Sequence, residues 1–305
     1  MIRSQVNSGG AGTPRNFGLR CAYGDYIFLM DADDAIIATA LEELYTFAEK
    51  SDADVVHCER WYVAFNENFT TDKDLIKLSN IKDVNPLFNS GFLEEPTFMT
   101  ENLEERIKLY CEGRFWWAPW SHLIKRKFLV ENEIEFYKLR IADDLLFTTF
   151  LMITAKKILY IPNAVYIWRV LRNSNSRAYL NAEKTIHKRA GDIFLGINIL
   201  EKFLNKFDFF NESPECRQSI FDFLSINQID YIVPIYSENP DFTLDALVRK
   251  ELEEIGNSTA LTAFLFGRMS VLQMNFMKQH AIIQQLQSQI EKIQQAMINR
   301  NNFFR

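Results

Sequence analysis

Five acidic side chains fall into two groups whose spacing could do chemistry. Asp31, Asp33 and Asp34 end the apolar run 26–30 in "YIFLMDADDA", and Asp143 and Asp144 lie together in "RIADDLLFTTF". Three carboxylates gathered at the tip of a strand repel one another unless protons or a cation lie among them. A hard divalent ion, Mg2+ or Mn2+, takes one or two carboxylates and completes its shell with phosphate oxygens and water, so one chemistry open here is a metal–diphosphate site. The other option is structural, with Asp31 capping the next helix and Asp33 and Asp34 solvated. Local pattern leaves both open. The later pair divides the same way, between a general base and acids that only complement a helix dipole.

Other chemistry-bearing residues are less organised. "FWWAPW", residues 115–120, could form an aromatic platform for a sugar, although tryptophan is as often core. The four histidines (57, 122, 187, 280) are too dispersed to imply a metal site. Cys21, Cys58, Cys111 and Cys216 show no Cys-x-x-Cys pairing, as expected of reduced thiols rather than a disulfide frame. A net charge of −6 argues against a broad nucleic-acid surface. "MIRSQVNSGGAGTPRN" has no apolar signal core, and no apolar run reaches the roughly 18 residues of a membrane span. The expected location is the cytoplasm, with peripheral contact at the inner face of the membrane left open.

The elements that must position these acids follow from apolar spacing. Thr13 as N-cap and Pro14 at the first helical position predict a helix to about Ala22, ended near Gly24. The short run "DYIFLM" predicts a central parallel strand covered on both faces. Thr39-x-x-Glu42 suits a capping box for a helix through Lys50, and "ADVVHC" is the next strand, with "WYVAF" its extension or a hairpin partner. Helix between strands indicates an α/β fold. Residues 66–98 read as a long polar excursion. "RIADDLLFTTFLMITAKKI" predicts a polar turn opening an apolar helix, and "ILYIPNAVYIWRVL" two short strands broken by Pro162. Beyond about residue 180 the pattern is helical. Phe276, Ile283, Ile290 and Met297 recur every seven residues, with Leu272, Leu286 and Ile293 at the matching d positions and Gln279 the one polar residue of the seam. Such a seam fits self-association or packing within the chain.

"NSGGAGTPRNFGLRCAYGDYIFLMDADD" resembles the central block of family 2 glycosyltransferases, which reads Asn-x-Gly, then Arg-Asn-x-Gly, then a strand ending in Asp-x-Asp-Asp. "WSHLIKRKFL", "ADDLLF" and "VYIWRVLRNSNSR" are similar to later segments of the same family, in the same order, over about residues 5–178. The resemblance implies that Asp31 holds the donor's ribose, that Asp33 holds the metal bridging its diphosphate, and that Asp34 supports them. It implies that Arg15, at a helix N-terminus, faces the nucleotide phosphates. It makes Asp144 the catalytic base, with Asp143 in place of the usual Glu, and sets Trp120 in the acceptor cleft. Arg169 and Arg172 would contact the diphosphate or hold a loop.

The fold so implied is α/β: a Rossmann-like A-type glycosyltransferase domain, N-terminally incomplete, followed by a mainly helical C-terminal region. Its expected parts are residues 1–180, a helical region 181–265 and a long amphipathic helix 266–305. The family's opening strand-helix-strand, ending Asp-Asp-Gly-Ser, has no counterpart here. That difference implies a fragment or a late start, with reduced or no activity for these residues alone. The reaction implied is metal-dependent, inverting transfer from a nucleotide sugar to a saccharide or lipid-linked acceptor, in cell-surface polysaccharide synthesis. Two other classes stay in view. Haloacid-dehalogenase-like phosphatases also place Asp-x-Asp after a strand, but their late acidic pair ends a strand. A non-catalytic remnant would act in assembly, through a homo-oligomer built on the last helix.

Overall fold

The computed structural model describes residues 10–64, 86–88, 93–139, 142–169, 182–229, 282–283 and 285–289, with backbone alone at some of these. Their strands are β1 (Tyr26–Phe28), β2 (Ala35–Ile36), β3 (Val55–Ala64), β4 (Pro86–Phe88), β5 (Thr97–Phe98), β6 (His122–Lys125) and β7 (Ile158–Arg169). The helices are α1 (Gly12–Cys21), α2 (Ala40–Ser51), α3 (Leu103–Cys111), α4 (Arg126–Glu131), α5 (Asp143–Thr154), α6 (Ala182–Leu204), α7 (Phe209–Glu212) and α8 (Pro214–Ile229).

The sheet runs β1-β6-β3-β7-β2, with β4 added on β3 and β5 on β7. Among the described residues only β3 and β7 pair in parallel; the other ladders are antiparallel. Successive residues of a strand face opposite sides, and the two apolar layers follow that alternation. Val55, Ile124 and Ile158 join one core. Val56, Leu123 and Leu159 join the other, under Ala40, Leu44 and Ala48 of α2. The first core is the larger. In it α5 is buried on nearly every side, from Leu145 to Ile153. The rings of Phe136 and Phe147 stack 4.0 Å apart, and those of Phe150 and Phe203 3.8 Å apart. Each such side chain contributes about 1.5–3 kcal/mol on burial. Ile193, Leu200, Phe210, Ile220 and Leu224 of α6 to α8 belong to the same core, so the helices after β7 close the sheet's second face.

Three expectations change. The run 26–30 is not a central parallel strand. Its ladder covers three residues, antiparallel to β6. It then leaves the sheet: Leu29 packs on the core while Met30 is 47% exposed. An apolar run this short cannot distinguish a strand covered on both faces from one that ends midway. Pro162 does not break the second half of the sheet, since β7 is continuous through it. The parallel register slips between the Cys58–Ile161 and Arg60–Ala164 pairs, and at that irregularity a residue without an N–H can be accommodated. Neither expected cap forms by side chain: Ala11 precedes α1, and the Thr39 hydroxyl donates to Glu43 rather than closing a box with Glu42. Of the seam near the C-terminus, residues 282–283 and 285–289 are helical, with Ile283 and Leu286 exposed; the rest lies outside the described residues. The same holds for most of 66–98.

Candidate active site

Beyond β1 the chain makes a tight turn, in which the Asp34 N–H donates to the Asp31 carbonyl at 3.1 Å. The turn separates its three acids by environment. Asp34 is buried, its carboxylate accepting from the Tyr166 hydroxyl at 2.6 Å and from the Arg169 backbone N–H at 2.8 Å. Burial pushes its pKa up to about 7, with Asp33 and Asp31 adding to the rise. The Tyr166 oxygen also accepts from the Asp31 N–H at 3.1 Å, so one hydroxyl of β7 grips both ends of the turn. Asp33 is left exposed and Asp31 partly so. Asp31 caps no helix.

The later pair reaches the same place from α5. Ala142, just before the helix, takes a left-handed conformation (φ 67°), unusual without glycine and a mark of backbone held by its surroundings. The reversal starts α5 with Asp143 and Asp144 facing α1. There Arg15 donates to Asp31 Oδ1 at 2.8 Å and to Asp144 Oδ1, and lies 3.8 Å from Asp143 Oδ2. Its side chain is 14% exposed, with the guanidinium over the Phe136 ring at 5.1 Å. Asp144 keeps 26% of its side chain exposed, and so stays within reach of a ligand. Burial raises the pKa of both acids; Arg15 opposes the rise, and in Asp144 it is reinforced by Asp143 and Asp31, reaching about 7.

What aims Arg15 is the seating of α1. The neighbouring Asn16 side chain exchanges two hydrogen bonds with the Phe136 backbone, accepting from its N–H at 2.7 Å and donating to its carbonyl at 2.6 Å. Gly12 lies so close to the same segment that a Cβ there would stand 2.9 Å from the Tyr137 carbonyl oxygen and 3.2 Å from Asp143 Oδ2. The Arg-Asn pair thus divides its work, with asparagine anchoring the helix and arginine meeting the acids.

The aromatic segment flanks this site. Trp120 is buried and stacks on Tyr166 with centroids 4.3 Å apart; Trp61, Trp116 and Trp117 continue the cluster. A buried, neutral chain fixes the segment's backbone. The Trp116 N–H donates to His57 Nε2 at 3.4 Å, which assigns the His57 proton to Nδ1 and makes it the donor to His122 Nε2 at 3.2 Å. His122 Nδ1 then donates to Ser121 Oγ at 3.1 Å, whose hydroxyl donates to the Ala118 carbonyl at 2.7 Å. Burial keeps both rings uncharged by lowering their pKa values, that of His122 to about 3.

The structure therefore gathers Arg15, Asp31 and Asp144, with Asp33 on the same turn as Asp31, and sets Trp120 beneath that turn. Arg169 contributes a backbone N–H to Asp34, and Arg172 lies outside the described residues. Residue types did not single out Tyr166 or Asn16, although both stand inside the resembling segments. Among the described residues no three ligating side chains form a ready-made metal cluster. The exposed Asp33 fits a hard cation held by one carboxylate and otherwise by ligand oxygens and water.

A mixed α/β sheet with acids beyond a strand end, faced by acids that open a helix, is the arrangement expected from the resemblance to A-type glycosyltransferases. Residues 1–117 match the family model described as Glycosyl transferase family 2. A cholesterol galactosyltransferase of Borreliella burgdorferi is 27% identical over 240 residues, covering 76% of this chain and 60% of its own length. A poly(ribitol-phosphate) beta-glucosyltransferase of Bacillus spizizenii is 28% identical over 186 residues, covering 60% of this chain and 25% of its own length. The chain thus spans at most 60% of the length of these two relatives. Among solved structures, S. aureus TarS 1-349 gives a TM-score of 0.48 at 18% identity, covering 87% of this chain and 62% of that one. No helix among the described residues is long and apolar enough to cross a membrane.

Proposed function

We propose that the protein is a glycosyltransferase that moves a sugar from a nucleotide-sugar donor to a hydroxyl of a saccharide or lipid-linked acceptor, in the making of a cell-surface polymer. The observation that carries this function is the meeting of Asp31 and Asp144 through Arg15, across 129 positions of sequence between Arg15 and Asp144. A donor-side carboxylate and a base close together are what a single displacement requires, and the proximity of Asp31 to Asp144 supports giving them those roles. Asp31 binds the donor ribose. Asp33 would hold Mg2+ or Mn2+, which would supply positive charge to the departing diphosphate. Asp144 accepts the proton of the acceptor hydroxyl while that oxygen bonds to the anomeric carbon and the bond from that carbon to the diphosphate oxygen breaks. The bonding electrons leave with the nucleoside diphosphate, and the anomeric carbon is inverted. Trp120 acts from under the turn at the acceptor side.

The two named relatives support a hydroxyl acceptor of sterol or polyol type. We read the location as cytoplasmic with peripheral membrane contact, and the seam near the C-terminus as a homo-oligomer contact. The late acids open a helix rather than end a strand, which disfavours the phosphatase alternative. A panel of UDP-sugars with Mn2+, followed by release of UDP with and without acceptor, tests the proposal. Asp144→Asn should lower transfer by about 10²–10⁴-fold with UDP binding retained, a general base's usual share. Asp33→Ala should abolish the response to Mn2+. Unchanged turnover in both variants would remove the proposal.

A further inference from the structure

We infer that Arg15 is a positioning residue for the base, tying Asp144 to the donor-side Asp31, rather than a ligand of the donor's phosphates. The inference rests on the function proposed above and extends it to a side chain that this mechanism does not use. One guanidinium donates through different nitrogens, Nη2 to Asp31 and Nη1 to Asp144. Its planar fork spans two carboxylates at once, which a lysine ammonium on a single flexible stem does not reproduce. Its surroundings leave it little freedom to turn toward a ligand, since the side chain is mostly enclosed and its charged end covers the Phe136 ring. The helix that carries it is fastened on both sides of it, by Gly12 against the Tyr137 carbonyl and by Asn16 on the Phe136 backbone.

The chemical effect is specific to Asp144. Among the described residues, the charged groups around that carboxylate are Arg15 from α1, Asp31 from the turn after β1 and Asp143 from its own helix, and Asp192 of α6 bears on Asp143. Three of these four are acids, so Arg15 is the cation that favours the ionised base among them. Its removal leaves like charges and burial acting alone, and the proton on Asp144 becomes harder to remove.

The test uses the full chain labelled with 13C-aspartate, Asp144 being assigned by the resonance lost in Asp144→Asn. Arg15→Gln should raise the Asp144 titration midpoint by one unit or more. Affinity for UDP with Mn2+, measured by calorimetry, should change less than threefold. Donor hydrolysis should fall about tenfold at pH 7 and recover as pH is raised, which a merely structural defect would not allow. Arg15→Lys should restore the midpoint only partway, and it decides the question if the glutamine variant does not fold. A tenfold or greater loss of UDP affinity with the midpoint unmoved would overturn the inference and make Arg15 a phosphate ligand. A midpoint and affinity that both stay in place would overturn it too. Wild-type protein that fails to bind UDP and Mn2+ would instead remove the proposed function, while the titration still decides whether Arg15 governs Asp144.

Discussion

A carboxylate whose pKa is higher in the native protein than in the unfolded chain holds its proton more tightly when folded, so its ionisation works against the fold. Asp144 is raised in this way, from 3.8 to about 7. Its contribution to stability is fully present at low pH and is lost as pH climbs through that interval, over which the proposed base also becomes available. Between about pH 4 and about pH 7, the thermal midpoint of Asp144→Asn should therefore vary less than that of the unaltered protein. Calorimetric melts across that range check the sign, and a steeper dependence in the variant would contradict it. Asp31, Asp33 and Asp144 were each legible in the sequence, because acids at a strand end or a helix start are conspicuous by type. The meeting of Asp31 and Asp144 at Arg15 was not, since nothing local links residues 129 positions apart. The resemblance already set Asp34 behind Asp33, but not the means: the Tyr166 hydroxyl, brought over by β7, holds the buried Asp34, while Asp33 stays exposed.

At the scale of elements, α1 is a helix with little apolar face, Gly12 being its one fully buried residue. Its position depends on polar and steric contacts with the segment before α5. Asn16→Ala removes two hydrogen bonds to a partly covered backbone, and should cost about 1–3 kcal/mol in urea denaturation. Gly12→Ala forces a methyl against backbone and should cost a similar amount, about 1–3 kcal/mol, while lowering turnover through displacement of Arg15. A variant of either kind with unaltered stability would show that α1 is seated by other means. Helical spacing identified α2, and apolar runs identified α5 and the central strands, because burial imposes those patterns there. Such patterns failed at β1, where the ladder stops midway through the apolar run. They failed again at Pro162, where a register slip absorbs a residue that would otherwise have ended the strand.

For the molecule as a whole, the division at residue 180 marks a change of pattern in the sequence but not a change of core. The Phe150 ring of α5 lies on Phe203 of α6, and α6 to α8 share one apolar cluster with the sheet. Removing residue 182 onward strips the cover from α3 and α5, and that product should be insoluble or molten, with weak near-ultraviolet dichroism and rapid proteolysis. A soluble, cooperative fragment ending there would show two independent units. Composition could not have revealed this, because an apolar helix face looks the same whichever surface it covers. One feature of the sheet also serves the experimenter. The indole of Trp120 lies flat against the phenol that grips the aspartate turn, so emission from this ring, isolated by replacing the other tryptophans, would be an intrinsic optical gauge of whether that turn is occupied.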